Sequence, residues 1–362
     1  MPGTCTRRVF LSGLPALGIL GAPGSGQAVP SEAKRYPDPA TEFEVVRLTD
    51  PAHTSRLPGY YNRAVSHRGN FLLYTSDRGG APQAYRMDLK TFESRQITEA
   101  GALLPSSLVL ATDEKAFHFA DGSTVFTGNL SNLRHKPVYD APAGFEIRGL
   151  AASDDTTHLF VVENSSNIWG LRAVRLVGNG PAGAVESTEP ISDPMPRPKR
   201  AGILYRRGGE LWLTNYDGAQ NHRLRVAAGG VGPALWSSDG RTVFYLNFPE
   251  GGKALNNIRE FDPDTNEDRP VANTSQYVHF GRNADSTVFA GASGSKAAPY
   301  ILLLVRSVKR ELALCEHRAS DPTQAAPIFA PNSQRVFFQS DRHGKMAIYS
   351  VRVERFVDET ES

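Results

Sequence analysis

Short polar turns followed by runs of alternating apolar residues recur along most of the chain. The clearest case is the turn SSDGR at residues 237–241, which precedes the run TVFYLNF at residues 242–248. Similar turns begin near residues 66, 110, 151, 198, 237, 282 and 330. Apolar residues with a period of two, rich in β-branched and aromatic side chains, predict strands that are half-buried between layers.

The spacing of these turns predicts the fold class. Successive units are about 39 to 48 residues apart, and each contains strands separated by further polar turns. We interpret the run after each polar turn as the first strand of its unit. Several short strands in a unit of 40 to 50 residues are typical of a β-propeller blade. The sequence therefore predicts an all-β protein, a seven-bladed β-propeller.

The two ends of the repeat array predict how the ring closes. Residues 42–48 (EFEVVRL) form a spare strand before the first unit, whereas the last unit ends one strand short of four. A closed ring avoids exposed sheet edges. We therefore expect the N-terminal strand to complete the last blade, with a propeller at 42–356, a linker at 29–41 and a tail at 357–362.

The first 28 residues indicate an export signal. TRRVFL at residues 6–11 is followed by a weakly apolar stretch and small residues ending at Ala28, and adjacent arginines before Phe10 and Leu11 resemble a twin-arginine signal. The apolar stretch is shorter than the roughly 20 residues that span a bilayer. We expect a bacterial protein that is exported to the periplasm or beyond, with no membrane span after signal removal.

Composition and charge exclude several classes of partner and site. The 362 residues include 40 Lys and Arg against 38 Asp and Glu, a net charge of +2, which does not favour nucleic acid. Only two cysteines are present, and Cys315 alone would remain after signal removal. We expect this cysteine to be buried and inert, and the protein to be a monomer.

Phrases at both ends of the array resemble a known family. Residues 47–51 (RLTDP), followed by YYN at 60–62, resemble the opening of bacterial oligogalacturonate lyases, and residues 337–344 (FFQSDRHG) resemble the last blade of that family. The turn-plus-strand repeat is shared with Tol-system periplasmic propellers. The resemblance implies a seven-bladed propeller that cleaves pectin fragments by β-elimination. It also implies a histidine base and a manganese ion held by three histidines and a glutamine.

Matching that site to this sequence leaves few of its residues. Asn247 stands where the resemblance places the base, and an amide cannot take a proton in this way. His279 matches the first metal ligand. In one alignment Gln324 and Ala326 replace two ligand histidines, and in another Gln324 is the glutamine ligand. The resemblance therefore implies a reduced manganese site of at most His279 and Gln324, with no assigned base.

Two functions follow as alternatives. The first is a lyase acting on acidic oligosaccharides with a reduced metal site. The second is a non-catalytic propeller that binds a saccharide or a protein partner. Tyr60 and Asn62 could bind sugar near the channel, although the tyrosines could equally cover a surface between blades. Arg206 belongs to a group of cations at 197–207 that could face an acidic ligand, but we favour a solvated surface turn.

Overall fold

The structure is a computed structural model that describes residues 26–178, 181–251, 254–354 and 356–357. Most of the predicted export signal, residues 1–25, lies outside the described residues, as does the end of the predicted tail at 358–362. The described helices are two short 3-10 turns, Pro105–Ser107 and Pro322–Ala325. Neither is long and apolar enough to cross a membrane.

The described residues form thirty strands. The first half of the chain contains β1 Ala28–Val29, β2 Lys34–Pro37, β3 Glu44–Arg47, β4 Ser55–Arg56, β5 Phe71–Ser76, β6 Gln83–Asp88, β7 Ser94–Gln96, β8 Val109–Leu110, β9 Ala116–Asp121, β10 Thr124–Asn129, β11 His135–Asp140, β12 Glu146–Ala152, β13 His158–Ser165, β14 Ile168–Arg175 and β15 Pro181–Ser187. The second half contains β16 Ile191–Pro196, β17 Gly202–Arg207, β18 Glu210–Asn215, β19 His222–Arg223, β20 Gly230–Trp236, β21 Val243–Phe248, β22 Asn257–Asp262, β23 Glu267–Asn273, β24 Tyr277–Arg282, β25 Val288–Ser293, β26 Tyr300–Val305, β27 Arg310–Glu316, β28 Ile328–Phe329, β29 Arg335–Ser340 and β30 Ala347–Arg352.

These strands form seven antiparallel sheets, which confirms the predicted seven-bladed propeller. Blades 2 to 6 each contain four consecutive strands, from β8–β11 to β24–β27. Blade 1 contains β4–β7, and blade 7 contains β28–β30, each with strands from the N-terminal segment. The first strands of neighbouring blades contact one another, as β8 does β12 and β24 does β28. The first strand of each blade therefore lies closest to the central axis.

The ring closes as the sequence predicts. Strand β3 pairs with β30, with Val45 opposite Val351 and Val46 opposite Ser350. The prediction of a linker at residues 29–41 needs correction, because β2 extends the same sheet beyond β3 and β1 pairs with β7 in blade 1. These short exposed strands lack a clear alternating pattern, so the sequence does not mark them.

The predicted order of strands within a unit is wrong by one strand. The run after each polar turn is the second strand of its blade, as β21 is in blade 5. The innermost strands are hard to recognise because several are short or irregular. Strand β8 has two residues, and β20 shifts register between Val231 and Ala234. A pattern of period two is weak in such strands.

The hydrophobic core is divided among the seven junctions between blades. Each cluster of buried side chains combines two adjacent blades; for example, Phe160 of blade 3 packs with Tyr205 of blade 4. Cys315 lies in the cluster between blades 6 and 7 and is fully buried, as expected. Since each blade supplies apolar residues to both neighbours, the blades are stabilised by the ring.

Candidate functional site

Residues 57–63, which we call the channel segment, interrupt the innermost strand of blade 1. Strand β4 pairs with the end of β5 immediately before this segment. Immediately after it, Val65 forms a bridge with Leu72 near the start of the same strand. The inserted residues therefore leave the sheet of blade 1 and return to it.

The channel segment contacts blades on every side of the ring. Its hydrogen bonds run from Leu57 N to Gln339 Oε1 in blade 7 (2.8 Å), from Gly59 N to Ser106 O before blade 2 (3.2 Å), from Asn62 Nδ2 to Leu150 O in blade 3 (2.8 Å) and from Tyr60 Oη to Asp193 Oδ2 in blade 4 (3.0 Å). So few residues can reach opposite sides of the ring only from its axis. The channel segment therefore crosses the central channel.

Asn62 and Tyr61 hold this segment in place. Asn62 is 8% exposed, and its amide nitrogen donates to the carbonyl oxygens of Leu150 and Ser106. Tyr61 packs against the cluster between blades 4 and 5 that contains Trp236. The predicted substrate contact of Asn62 is not supported, because its donors are already engaged with backbone.

A cavity of about 370 Å³ lies beside the channel segment. Its size is within the range of about 300–1,000 Å³ for small-molecule sites. Apolar walls come from Val231, Pro233, Phe248 and Val278, and polar groups from Tyr60, Asp193, Arg206, His279 and Thr323. We call it the channel cavity. It brings together the sequence-predicted site residues Tyr60 and His279.

His279 is a buried neutral imidazole on the wall of the channel cavity. It is 6% exposed, and its Nδ1 has no hydrogen-bond partner among the described residues. Burial, together with the smaller effect of the Arg206 charge, lowers the pKa of His279 to about 4. The ring meets Tyr60 edge to face, with ring centroids 4.7 Å apart. His279 thus retains hydrogen-bonding capacity in an otherwise satisfied wall.

Asp193 and Arg206 form an ion pair in the lining of the channel cavity, and their opposite charges balance each other. Arg206 Nε donates to Asp193 Oδ2 over 3.1 Å, and the remaining guanidinium nitrogens donate to the carbonyl oxygens of Val231, Gly232 and Gly209. Asp193 also accepts the Tyr60 hydroxyl, and burial followed by this carboxylate raises the tyrosine pKa. The interpretation of Arg206 as part of a solvated turn was wrong.

Asp193 is the residue of this site with the weakest signal in the sequence. It has a left-handed backbone, with φ of 50°, at a register shift between Ser192 and Met195. An L-residue other than glycine rarely adopts this conformation, so it marks a functional or structural constraint. The single signal in the sequence is the following residue, Pro194, which disfavours a regular central strand.

Gln324 is not among the residues that line the channel cavity, and its side chain is engaged in hydrogen bonds outside that lining. It lies in the 3-10 turn before blade 7, where Arg56 Nη1 donates to Gln324 Oε1 over 3.0 Å. Its Nε2 donates to Asp321 Oδ2, also over 3.0 Å. The neighbouring Thr323 lines the cavity, whereas Gln324 does not. The structure therefore does not bring the two predicted metal ligands, His279 and Gln324, into one lining.

Asn247, at the position of the implied base, also has a structural contact. It is 3% exposed, and its Nδ2 donates to Ala228 O over 3.1 Å. This hydrogen bond connects β21 to the residues that immediately precede β20. The Asn247 side chain therefore stabilises the backbone and does not supply a base.

The described residues form a seven-bladed β-propeller whose channel is crossed by residues 57–63, with the channel cavity beside that segment. Comparisons with known proteins show which proteins this chain is similar to. A family model described as oligogalacturonate lyase matches residues 24–172. The chain is 23% identical to the oligogalacturonide lyase of Pectobacterium atrosepticum over 91% of this chain and 98% of the relative. It is 22% identical to the oligogalacturonate lyase of Dickeya dadantii, over 88% and 95% of the two chains.

A solved structure shows the same fold. An oligogalacturonate lyase in complex with manganese superposes with a TM-score of 0.83 at 22% identity, covering 91% of this chain and 98% of that one. The comparisons confirm the resemblance stated from the sequence. This chain is similar to oligogalacturonate lyases over nearly its whole length.

The residues present do not fit a manganese ion. Within the described residues, no three His, Cys, Asp or Glu side chains come together as candidate metal ligands. The oxygen that Gln324 would offer already accepts from a guanidinium. Two donors, of which one is already engaged, do not supply the number of ligands that a divalent ion requires.

Proposed function

We propose that this chain binds an acidic oligosaccharide, of the kind that oligogalacturonate lyases act on, and does not perform manganese-dependent elimination. Similarity over nearly the whole chain supports the saccharide class. The observation that carries the loss of metal chemistry is the hydrogen bond from Arg56 to Gln324. It places the positive charge of Arg56 within hydrogen-bond distance of the Gln324 oxygen that would have to coordinate the metal.

The elimination reaction depends on two groups, a base and a cation. Removing the proton α to a uronate carboxylate needs a base within hydrogen-bond reach. It also needs a cation that stabilises the charge developing on the carboxylate. Asn247 is no base, and the charge of Arg206 is already balanced by Asp193. These contacts support the proposal that neither requirement is met by Asn247 or by Arg206.

The channel cavity retains the features of a saccharide pocket. Val231, Pro233 and Phe248 present apolar surface for the C–H face of a sugar ring. His279, whose Nδ1 has no partner among the described residues, and Thr323, whose hydroxyl donates to Asp321 and can still accept, add polar groups to the lining. Pockets for small molecules combine apolar walls with few fixed polar groups in this way. One saccharide unit at the end of a longer oligomer is the ligand that this cavity suits.

Export is part of the proposal. The twin-arginine-like pattern at residues 6–11 and the small residues up to Ala28 support secretion of a folded chain. Such a protein would meet oligosaccharides outside the cytoplasm. Labelling and fractionation of the producing cells would test this directly.

The function is tested by binding and elimination in parallel. Purified protein is titrated with trigalacturonate by calorimetry, and the same sample is followed for the ultraviolet absorbance of the new double bond, with and without manganese. We expect binding without an absorbance change. Metal-dependent absorbance that stops on chelation would overturn the proposal.

A variant that fills the cavity assigns the site. Val278→Phe adds an aromatic ring to the cavity wall, and we expect it to weaken trigalacturonate binding by at least tenfold. Val308→Phe, at a residue that is 60% exposed outside the cavity, is the matched control and should bind as the parent does. Equal affinity in the two variants would place the ligand elsewhere. Thermal unfolding of both variants checks that each is folded.

A further inference from the structure

A second cavity lies between the last blade and the first. It has a volume of about 540 Å³ and shares no lining residue with the channel cavity. Blade 7 contributes Arg335 and Arg352 together with Arg35 of β2. Blade 1 contributes Arg68 and Lys90 from its polar turns. We call this cavity the closure cleft.

Positive charge dominates the closure cleft. Five basic residues line it, against the single carboxylate of Asp88. That carboxylate accepts from the backbone nitrogens of Lys90 and Thr91 and so stabilises its own turn. The whole chain carries a net charge of only +2, so this excess of cations is a local feature and not a general one.

Two of the five cations have carboxylate neighbours. Arg35 pairs with Glu44 at 3.0 Å, and Arg352 lies 3.6 Å from Glu354. These pairs are half or more exposed on the arginine side, and exposed pairs are weak. Their nitrogens remain able to take a second anionic partner.

The other three, Arg68, Lys90 and Arg335, make no ion pair with any described residue. Arg335 is the most enclosed of them, with its guanidinium 5.9 Å from the centroid of the Phe92 ring. The Arg35 guanidinium lies 5.7 Å from the same centroid. Burial, and after it the charge of Arg352, lowers the pKa of Arg335. Like charges are thus held close together around one cavity, and the nearby carboxylates of Glu354 and Glu44 offset part of this effect at Arg335.

We propose that the closure cleft binds a small polyanion, a ligand whose several carboxylate or phosphate groups bridge blade 7 and blade 1. Arginine recognises both kinds of group through paired N–H donors. The cavity volume suits a small molecule, not a single ion. An oligouronide and a condensed phosphate carry this same chemistry and are the two sources that the experiment separates.

Binding at this position has a consequence for the ring. The cleft spans the junction at which the N-terminal strands complete blade 7, so a ligand would connect the two ends of the propeller. A ligand that binds only the folded state raises the unfolding temperature, and the increase grows with the logarithm of the ligand concentration above its Kd. The closure cleft therefore couples anion binding to the stability of ring closure.

The test uses two anions and two matched double variants. Full-length protein in low salt, free of divalent metal, is titrated with tripolyphosphate and with trigalacturonate. Arg68→Glu/Lys90→Glu reverses two exposed charges of the cleft. Arg241→Glu/Lys309→Glu makes the same change in net charge at equivalent exposed turns of blades 5 and 6. Unfolding temperatures are recorded with and without each anion.

We expect the cleft variant to lose at least tenfold in affinity for the tighter anion, together with its thermal shift, while the control variant stays within twofold. Tighter tripolyphosphate identifies a phosphate ligand. Tighter trigalacturonate that is insensitive to Val278→Phe identifies a uronide bound at the cleft. Absence of binding by both anions at millimolar concentration, or equal losses in the two double variants, would overturn the proposal. Because tripolyphosphate contains no sugar, its result stands apart from the saccharide binding proposed for the channel cavity.

Discussion

The same arrangement of three side chains occurs at three places among the described residues. In each, a tyrosine hydroxyl donates to a carboxylate that also accepts from an arginine Nε. Both hydrogen bonds to the carboxylate are charge-assisted or short, which stabilises a carboxylate away from water. The three groups are Tyr60–Asp193–Arg206, Tyr139–Glu163–Arg172 and Tyr245–Asp268–Arg259. Only the first lines the channel cavity. The same arrangement thus serves packing twice and a pocket wall once.

The second of these groups predicts a large difference between two glutamates on the same arginine. Glu163 is fully buried, whereas the side chain of Glu186 is 61% exposed, and both pair with Arg172. Glu163→Gln removes the buried negative charge and leaves one acceptor oxygen for the two donors Tyr139 and Arg172, so it should lower the free energy of unfolding by about 3 kcal/mol. Glu186→Gln should cost less than about 1 kcal/mol. Urea denaturation measures both, and equal losses would contradict this account.

At the scale of elements, the N-terminal segment matters more than its length suggests. Strand β3 lies inside blade 7, between β30 and β2, and Val45 is fully buried there. Strands β1 and β2 lie at the outer edges of blades 1 and 7. An inner strand satisfies backbone groups on both sides, whereas an outer strand leaves one side to solvent.

This difference predicts the outcome of two truncations. A chain that begins at residue 43 keeps β3 and should fold cooperatively, with reduced stability. A chain that begins at residue 48 exposes the edge of β30 and the cluster around Val45, and should aggregate or remain unfolded. Circular dichroism and size-exclusion chromatography of the two proteins distinguish these results. Normal folding of the shorter chain would show that β3 is dispensable for closure.

At the scale of the whole molecule, the shared cores make the ring a single cooperative unit. Each of the seven clusters joins two blades, including the cluster of Val46 and Leu72 that joins blade 7 to blade 1. No blade among the described residues has a core of its own. Loss of one junction therefore affects the closure of all the others.

Cooperativity can be measured after weakening one junction. Phe160 is fully buried between blades 3 and 4, so Phe160→Ala should cost about 3–5 kcal/mol through lost burial and a cavity. We expect a single calorimetric transition at a lower temperature, with calorimetric and van't Hoff enthalpies in agreement. Two separate transitions would show that blades unfold independently.

Features that depend on neighbouring residues were predictable before the fold was known. The polar turn and run at residues 237–248 predicted β21, and the spare strand containing Val45 predicted the closure of blade 7. Asn247, where the resemblance places a base, already argued against the family reaction. Each of these is a property of neighbouring residues, because strand periodicity and turn chemistry act over a few positions.

The positions of the two cavities, in contrast, depend on contacts between distant parts of the chain. Tyr60, Asp193 and His279 are far apart in sequence and meet because the channel segment crosses the axis of a closed ring. Arg68 and Arg335 approach each other for the same reason, since closure brings the first blade against the last. No local pattern records which turns a ring of seven sheets will place side by side. Packing around the axis decides these distances, and with them the sites that we propose.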